Sequence, residues 1–130
     1  MNKILVEVSV GELLDKISIL EIKKEKIKNT DKLNLINNEY SILKDQFEKN
    51  VKTDTKINEL FQSLKKINEK LWIIEDDKRM CEKNSDFSDK FIKLSRNVHF
   101  LNDERAKIKL ELNNYTGSKI QEVKEYTSYW

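Results

Sequence analysis

The sequence predicts an all-α protein: an antiparallel bundle of about four helices with coiled-coil-like packing. Three observations predict it. The 130 residues include no Pro and 2 Gly, apolar residues recur at alternating intervals of three and four, and short polar segments interrupt this pattern three times. Pro and Gly are the residues that disfavour helices most, so a chain that almost lacks them suits long helices. Because short links place successive helices antiparallel, a bundle is expected.

The first nine residues are expected to form a short strand or arm. Ile and Val alternate with other residues between positions 3 and 8, which is the period of a strand. Ser9 and Glu12 then have the spacing of a capping box, in which the hydroxyl accepts from the backbone N–H three residues on and the carboxylate reaches back. A helix is therefore expected to begin at Val10.

Four helices follow from the apolar pattern, within a single domain of residues 1–130. They are predicted over about residues 10–28, 31–49, 54–83 and 87–115. The links between them are rich in Asn, Ser, Thr and Asp, which are the residues that cap helix N-termini. Gly117 is expected to cap the last helix, and residues 116–130 form an aromatic tail. The helical bundle itself is predicted to span residues 10–115.

Charge and rare residues exclude several classes of function. The 25 basic and 23 acidic residues are mixed throughout, so the basic patch of a nucleic-acid-binding protein is missing. No apolar run is long enough for a membrane span, and no signal peptide is recognised, so a cytoplasmic protein is expected. One cysteine, Cys81, and one histidine, His99, cannot build a zinc site, and we expect no metal and no cofactor. No catalytic residue is identified.

Three cations occupy positions where the apolar stripe requires a hydrophobic residue. For Lys24 and Lys78 we expect the aliphatic stem to pack while the ammonium group reaches solvent. Arg105 lies in the middle of its helix, where a cation costs stability unless it is paired. It is interpreted as a structural ion pair that fixes the register, as a ligand contact or as an exposed side chain.

A second, polar stripe runs beside the apolar one on the third predicted helix. Asn68, Trp72, Glu75 and Arg79 recur at helical spacing there. A solvated flank with i,i+4 ion pairs, such as Glu75 with Arg79, is one interpretation, each pair contributing about 0.3–0.5 kcal/mol. The tryptophan favours the other interpretation, a binding site, because a solvated flank would expose much of its apolar area.

Neighbouring helices are expected to complete this site. In an antiparallel hairpin of the third and fourth helices, Asn68 lies level with Asn102, and we expect one pocket to form. The residues predicted to bind a ligand are Glu12, Lys16, Asn68, Trp72, Glu75, Arg79, Asn102, Asp103 and Arg105. The cations would hold an anion, the indole would stack on a ring, and the amides would fix hydroxyl groups. If the protein is an enzyme, Glu75 or Asp103 is the acid–base candidate.

Four segments resemble a family of small bacterial and phage proteins that is known only as a domain of unknown function. They are VEVSVGELLDKISILEIKKEKI, NEKLWIIEDDKR, FIKLSRNVHFLNDERAKIKLELN and GSKIQEVKEYTSY, of which GELLDK and LWxxED are the more specific. Genes of such families often lie near glycosyltransferase and lipopolysaccharide genes. The resemblance implies that the family pattern includes Glu12, Asp15, Lys16, Asn68, Trp72, Glu75, Asp76, Arg79, Arg96, Asn102, Asp103, Arg105 and Lys109. His99 departs from it, since family members tend to have Tyr there.

Three functional hypotheses remain open. The first is a cytosolic accessory or binding protein for surface-polysaccharide (lipopolysaccharide) biosynthesis. It would act as a homodimer, with a glycosyltransferase as partner or an anionic sugar nucleotide as ligand. The second is a small all-helical enzyme that uses Arg, Lys and Glu for electrostatic catalysis. The third is a purely structural coiled-coil assembly factor.

Overall fold

The computed structural model describes residues 3–129 and contains four α-helices in this range. They are α1 (Val10–Lys26), α2 (Thr30–Asn50), α3 (Thr55–Lys83) and α4 (Asp89–Thr116). The all-α class and the number of helices are confirmed, and each helix begins and ends within two residues of its predicted bounds. No helix within residues 3–129 is both long enough and apolar enough to cross a membrane.

Side-chain caps fix the starts of the first three helices. In each case an oxygen of the cap accepts a hydrogen bond from the backbone N–H three residues on, at 2.9–3.0 Å. The capping residues are Ser9, Asn29 and Asp54. At the other end of the chain, Gly117 closes α4 in the left-handed conformation with φ of 68°, as predicted.

The predicted N-terminal strand is wrong. Residues 3–9 have no regular secondary structure, and the side chains of Ile4, Leu5 and Val6 are exposed. A strand needs a neighbour that pairs with its backbone N–H and C=O groups, and residues 3–129 contain no strand that could do so. The alternating sequence therefore forms an exposed apolar arm.

Helices α3 and α4 form a long antiparallel hairpin. Tyr115 donates a hydrogen bond to Asp54 at one end, and the ammonium group of Lys78 lies 6.0 Å from the ring centroid of Phe91 near the other. Residues 84–88 make the turn. The apolar stripe of both helices faces inward along this hairpin.

Helix α1 lies at the centre and contacts each of the other three helices. Helix α2 packs antiparallel on it, with the ammonium group of Lys24 lying 4.0 Å from the ring centroid of Tyr40. The central core draws side chains from all four helices: Leu14, Ile17, Phe47, Ile57, Leu64 and Leu112. The exposed ammonium group of Lys24 and the half-buried Lys78 side chain thus lie over aromatic rings.

One glycine allows α1 to approach α4 closely. A Cβ on Gly11 would lie 2.5 Å from the carbonyl oxygen of Lys109 and 2.9 Å from the side-chain oxygen of Asn113. The Gly11 N–H instead donates to that Asn113 oxygen at 2.7 Å. The N-terminal end of α1 is therefore fixed against the C-terminal half of α4, which brings their polar residues together.

The hairpin is covered by α1 and α2 along one part only. We call residues 72–101 the tip, and residues 10–71 and 102–116, with the two links that they include, the base. Leu64 in the base is 0% exposed, whereas Phe87 in the tip is 56% exposed and Leu94 is half-buried. Cys81, beside the interhelical turn, is buried.

Candidate functional site

A buried carboxylate joins three helices at the level where the base ends. Asp15 of α1 is 2% exposed and accepts hydrogen bonds from Asn68 Nδ2 of α3 at 2.8 Å and from Arg105 Nε of α4 at 2.9 Å. A second nitrogen of Arg105 completes a forked contact with the same carboxylate. Asn68 also donates to the hydroxyl of Ser18 at 2.8 Å. A carboxylate with this burial requires such partners, and they fix the helix register.

Of the three interpretations of Arg105, full exposure is wrong. Its side chain is 28% exposed and forms the ion pair with Asp15, and these hydrogen bonds raise its pKa although burial acts in the opposite direction. The guanidinium has further N–H donors beyond those that Asp15 uses. Arg105 also lines two hollows of the surface, one on each side of the ion pair.

The first hollow is a groove of about 340 Å³ beside the indole of Trp72, and we call it the Trp72 groove. Its apolar wall includes Ile19 and Ile22 of α1, and Trp72 itself is half-buried. The lining residues are Ile19, Ile22, Asn68, Leu71, Trp72, Glu75, Asp76, Arg79 and Arg105. The groove lies where α1 stops covering α3, so its apolar wall belongs to the base and its charged rim to the tip.

The charged rim of the Trp72 groove is not neutralised by its own residues. Glu75, Asp76 and Arg79 are exposed, and within residues 3–129 none of the three forms a hydrogen bond or an ion pair. The i,i+4 pair between Glu75 and Arg79, which the solvated-flank interpretation requires, does not form. Both kinds of charge therefore remain available to a ligand beside an aromatic ring.

The second hollow, of about 230 Å³, surrounds Lys109, and we call it the Lys109 pocket. The Lys109 side chain is 11% exposed, and its ammonium group contacts Glu12 at 2.7 Å and Glu122 at 3.0 Å. Burial by itself lowers the pKa of Lys109, but the hydrogen bonds to Glu12 and Glu122 outweigh it, so the pKa is raised. The lining residues are Glu12, Asn102, Arg105, Ala106, Lys109, Glu122 and Lys124.

Glu12 thus has a role that the capping pattern did not predict. Ser9 accepts from the Glu12 N–H as expected, but the carboxylate contacts Lys109 at 2.7 Å and Lys16 at 3.7 Å. The prediction was therefore correct for the Ser9 half of the capping box. The Glu12 carboxylate instead connects α1 to α4.

The predicted site residues are divided between the two hollows. The Trp72 groove receives Asn68, Trp72, Glu75 and Arg79. The Lys109 pocket receives Glu12 and Asn102. Arg105 lines both, and Lys16 and Asp103 line neither. The structure therefore has two hollows separated by the Arg105–Asp15 ion pair where one pocket was expected.

Asp103 belongs to a third, aromatic surface. The hydroxyl of Tyr129 donates to its carboxylate, which raises the pKa of Tyr129 to about 12. The ring of Tyr129 lies 5.1 Å from His99 and 5.4 Å from Phe100, measured between ring centroids. The two acid–base candidates, Glu75 and Asp103, are consequently on different surfaces. Residues 3–129 contain no group of three or more His, Cys, Asp and Glu side chains that could hold a metal ion.

The comparison with protein families gives one match. The model described as a family of unknown function, DUF6165, covers residues 4–129, nearly the whole chain. The chain belongs to the DUF6165 family. This confirms the resemblance to an uncharacterised family. No curated protein sequence and no solved structure is significantly similar.

Three residues that form the ion pairs beside these hollows in this DUF6165 protein were left out of the predicted ligand-binding set. Asp15 and Lys109 were not among the predicted ligand-binding residues, and Glu122 was assigned only to the tail. A signal for the first two exists: acidic residues at positions 12 and 15 face basic residues at 109 and 105. This complementary spacing on two helices predicts an antiparallel contact. For Glu122 we find no such signal, because residues 118–129 lack a helical period.

Proposed function

We propose that this DUF6165 protein binds an anionic sugar derivative, such as a sugar nucleotide, in the Trp72 groove. It would act as a non-catalytic accessory protein of surface-polysaccharide synthesis in the cytoplasm. One observation carries the proposal. In this groove the half-buried indole of Trp72 lies beside three charged side chains: Glu75, Asp76 and Arg79. None of the three has a partner within residues 3–129.

The chemistry of the groove suits the parts of such a ligand. The indole face of Trp72 can stack on a sugar or a base, and the carboxylates of Glu75 and Asp76 can accept hydrogen bonds from hydroxyl groups. The guanidinium of Arg79 can hold a phosphate with two parallel hydrogen bonds. A volume of about 340 Å³ lies within the range of small-molecule sites.

The ion pair behind the groove makes its inner wall rigid. Asp15 holds Arg105 in a forked contact, and Asn68 is fixed by two hydrogen bonds. Side chains that are already ordered lose little entropy when a ligand binds, which improves affinity. The arrangement therefore supports recognition by prealigned groups.

The pathway and the glycosyltransferase partner in this proposal rest on the genes that often lie near those of the families that the sequence resembles. The homodimer stays a prediction, and sedimentation equilibrium checks it: a dimer gives about twice the chain mass of 15.5 kDa. A monomer at all concentrations would contradict it.

Fluorescence of Trp72 tests ligand binding directly. The chain has 2 Trp, so Trp130→Phe leaves the groove indole as the sole tryptophan emitter. We expect at least one sugar nucleotide of a panel linked to UDP, GDP, ADP or dTDP to quench this emission and to raise the melting temperature. The free nucleotides and free sugars should bind more weakly. No response to any compound in the panel would contradict the proposal.

A pair of arginine variants tests whether the sugar nucleotide binds in the Trp72 groove. Arg79→Gln should weaken the ligand by about tenfold or more, because it removes a charged hydrogen-bond donor. Arg96→Gln removes another exposed arginine, which lies over the ring of Phe100 and does not line the groove, and it should leave the affinity unchanged. Equal losses for both variants would indicate general charge attraction and would contradict the assigned groove.

A further inference from the structure

The Lys109 pocket resembles an anion site in which a side chain of the protein takes the position of the anion. Glu122 lies in residues 118–129, which have no helix or strand, and its carboxylate is 3.0 Å from the ammonium group of Lys109. Lys124 flanks the same carboxylate at 3.4 Å. Glu122 is thus held by two cations.

We infer that the Lys109 pocket binds a phosphate-bearing molecule and that Glu122 of the C-terminal segment is displaced when it does. The proposal concerns a second site and does not depend on the Trp72 groove. The phosphate oxygens would take the place of the Glu122 carboxylate between Lys109 and Lys124. Asn102 and the N–H donors of Arg105 that Asp15 does not use would complete the contact.

The charge of the pocket favours this ligand. Without Glu122, the lining and the Asp15 carboxylate behind it hold three cations and two carboxylates, which leaves one positive charge in excess. Asp15 forms its ion pair with Arg105 and lies 3.8 Å from the ammonium group of Lys109. Lys109 is nearly buried, and a buried ammonium group is costly without sufficient counter-charge. An incoming anion therefore replaces a charge that the pocket needs.

Glu122 is suited to be displaced. Its side chain is 46% exposed, so the ion pair with Lys109 is partly screened by water. The surrounding residues 118–129 have no helix or strand, so displacing Glu122 breaks no helical hydrogen bond. The segment is attached at its two ends, where Ser118 accepts a hydrogen bond from the Val10 N–H and Tyr129 donates one to Asp103. Glu12, by contrast, is part of helix α1 and remains in place.

Pyrophosphate binding to the full chain, measured by calorimetry at low salt, tests the inference. Glu122→Gln removes the competing carboxylate and should tighten binding by about threefold to fivefold. Glu125→Gln is the control, since it removes a neighbouring exposed carboxylate that does not line the pocket. Lys124→Gln, which alters an exposed side chain and spares the core, should weaken binding. No binding to Glu122→Gln, or equal effects of Glu122→Gln and Glu125→Gln, would overturn the proposal.

Three further measurements test where the anion binds, which anion is preferred and whether Glu122 moves. Arg96→Gln, which removes an exposed arginine that lines neither hollow, should leave pyrophosphate affinity unchanged, and a loss equal to that of Lys124→Gln would indicate general charge attraction and overturn the proposal. Malonate should bind more weakly than pyrophosphate, and equal affinity would overturn the assignment to phosphate. In backbone relaxation measured by NMR, saturating pyrophosphate should increase the mobility of residues 118–129 in the wild-type chain. Unchanged mobility would overturn the displacement of Glu122.

Discussion

The base and the tip of the α3–α4 hairpin carry the same apolar pattern but differ in burial. In the base, α1 and α2 cover the hairpin, and Leu64 and Leu112 are inaccessible to water. In the tip, α3 and α4 pack mainly on each other, with Tyr129 contacting His99 and Phe100 at one level, and positions of the same stripe, such as Phe91 and Leu94, are half-buried. The difference teaches that a heptad pattern specifies a helix and a contact face, whereas burial depends on how many helices share that face.

The polar residues differ between the two regions in the same way. The charged side chains of the base, Asp15, Arg105 and Lys109, are paired across helices at short distances. On the tip, Glu75 and Arg79 have no partner within residues 3–129, although they are one helical turn apart. These three charges of the base therefore join helices to one another, whereas Glu75 and Arg79 of the tip make no such contact within residues 3–129.

The largest effect is expected from removing a core leucine of the base. Leu64→Ala should lower the free energy of unfolding by about 3–5 kcal/mol, because it leaves a cavity among helices that cannot close around it. Leu94→Ala on the tip should cost only about 1 kcal/mol, because that side chain is already partly in water. Urea unfolding measures both. Equal losses would contradict the difference in burial and would indicate that a second copy covers the tip in solution.

The second-largest effect on stability is expected from removing the buried carboxylate of Asp15, and the exposed carboxylate of Asp76 serves as its comparison. Asp15→Ala should lower the free energy of unfolding by about 2–4 kcal/mol, because Arg105 and Asn68 lose their shared acceptor and the partial exposure of Arg105 moderates the cost. Asp76→Ala on the tip should change it by less than about 0.5 kcal/mol. Urea unfolding at neutral pH distinguishes them. A neutral Asp15→Ala would mean that the three-helix ion pair does not hold the base together.

A smaller loss is expected where α1 meets α4. Gly11→Ala should cost about 1–3 kcal/mol, because the new Cβ would lie 2.5 Å from the backbone oxygen of Lys109 and backbone cannot move aside cheaply. Phe87→Ala on the tip, which trims an exposed side chain, should cost less. Thermal unfolding compares the two variants. A Gly11→Ala chain that is as stable as the wild type would show that the two helices are not held at this close distance.

The helices and their caps could be predicted because their signals are local. Intervals of three and four, and cap residues such as Asn29 and Asp54, lie within a few residues of the backbone that they determine. The N-terminal strand failed because alternation is a local signal, but a strand also requires a partner, which residues 3–129 do not supply. The unequal cover of the hairpin follows from helix lengths, since α1 has 17 residues and α3 has 29.

The candidate site was predictable only within one helix. Asn68, Trp72, Glu75 and Arg79 line the same groove because residues three and four apart share a helix face. Which residues α4 adds to the groove depends on the rotation of α4 about its own axis, and the apolar pattern of α4 does not determine that rotation. Asn102 therefore lies in the Lys109 pocket. The Asp15–Arg105 pair connects positions that are 90 residues apart, so only the complementary spacing of charges on two different helices could have indicated it.

The smallest effect is expected from acidification, which should loosen the C-terminal segment, residues 118–129, at the edge of the base. The hydrogen bond from Lys109 lowers the pKa of Glu122, so the contact stabilises attachment of residues 118–129 above the ordinary pKa of a glutamate, about 4.3. That stabilisation is lost as the pH falls through the lowered pKa. Backbone relaxation measured by NMR between about pH 6 and pH 3 should show the segment becoming mobile, while the backbone of residues 72–83 in α3 stays as rigid as at pH 6.

Glu122→Gln provides the control for this titration. The segment should already be mobile at pH 6 in this variant, because glutamine cannot carry the charge that Lys109 attracts. Its mobility should then change little on acidification. If wild-type residues 118–129 stay ordered at the lowest pH, other contacts, such as the hydrogen bond from Tyr129 to Asp103, hold the segment in place. In that case the C-terminal segment is a fixed part of the base, as α1 is.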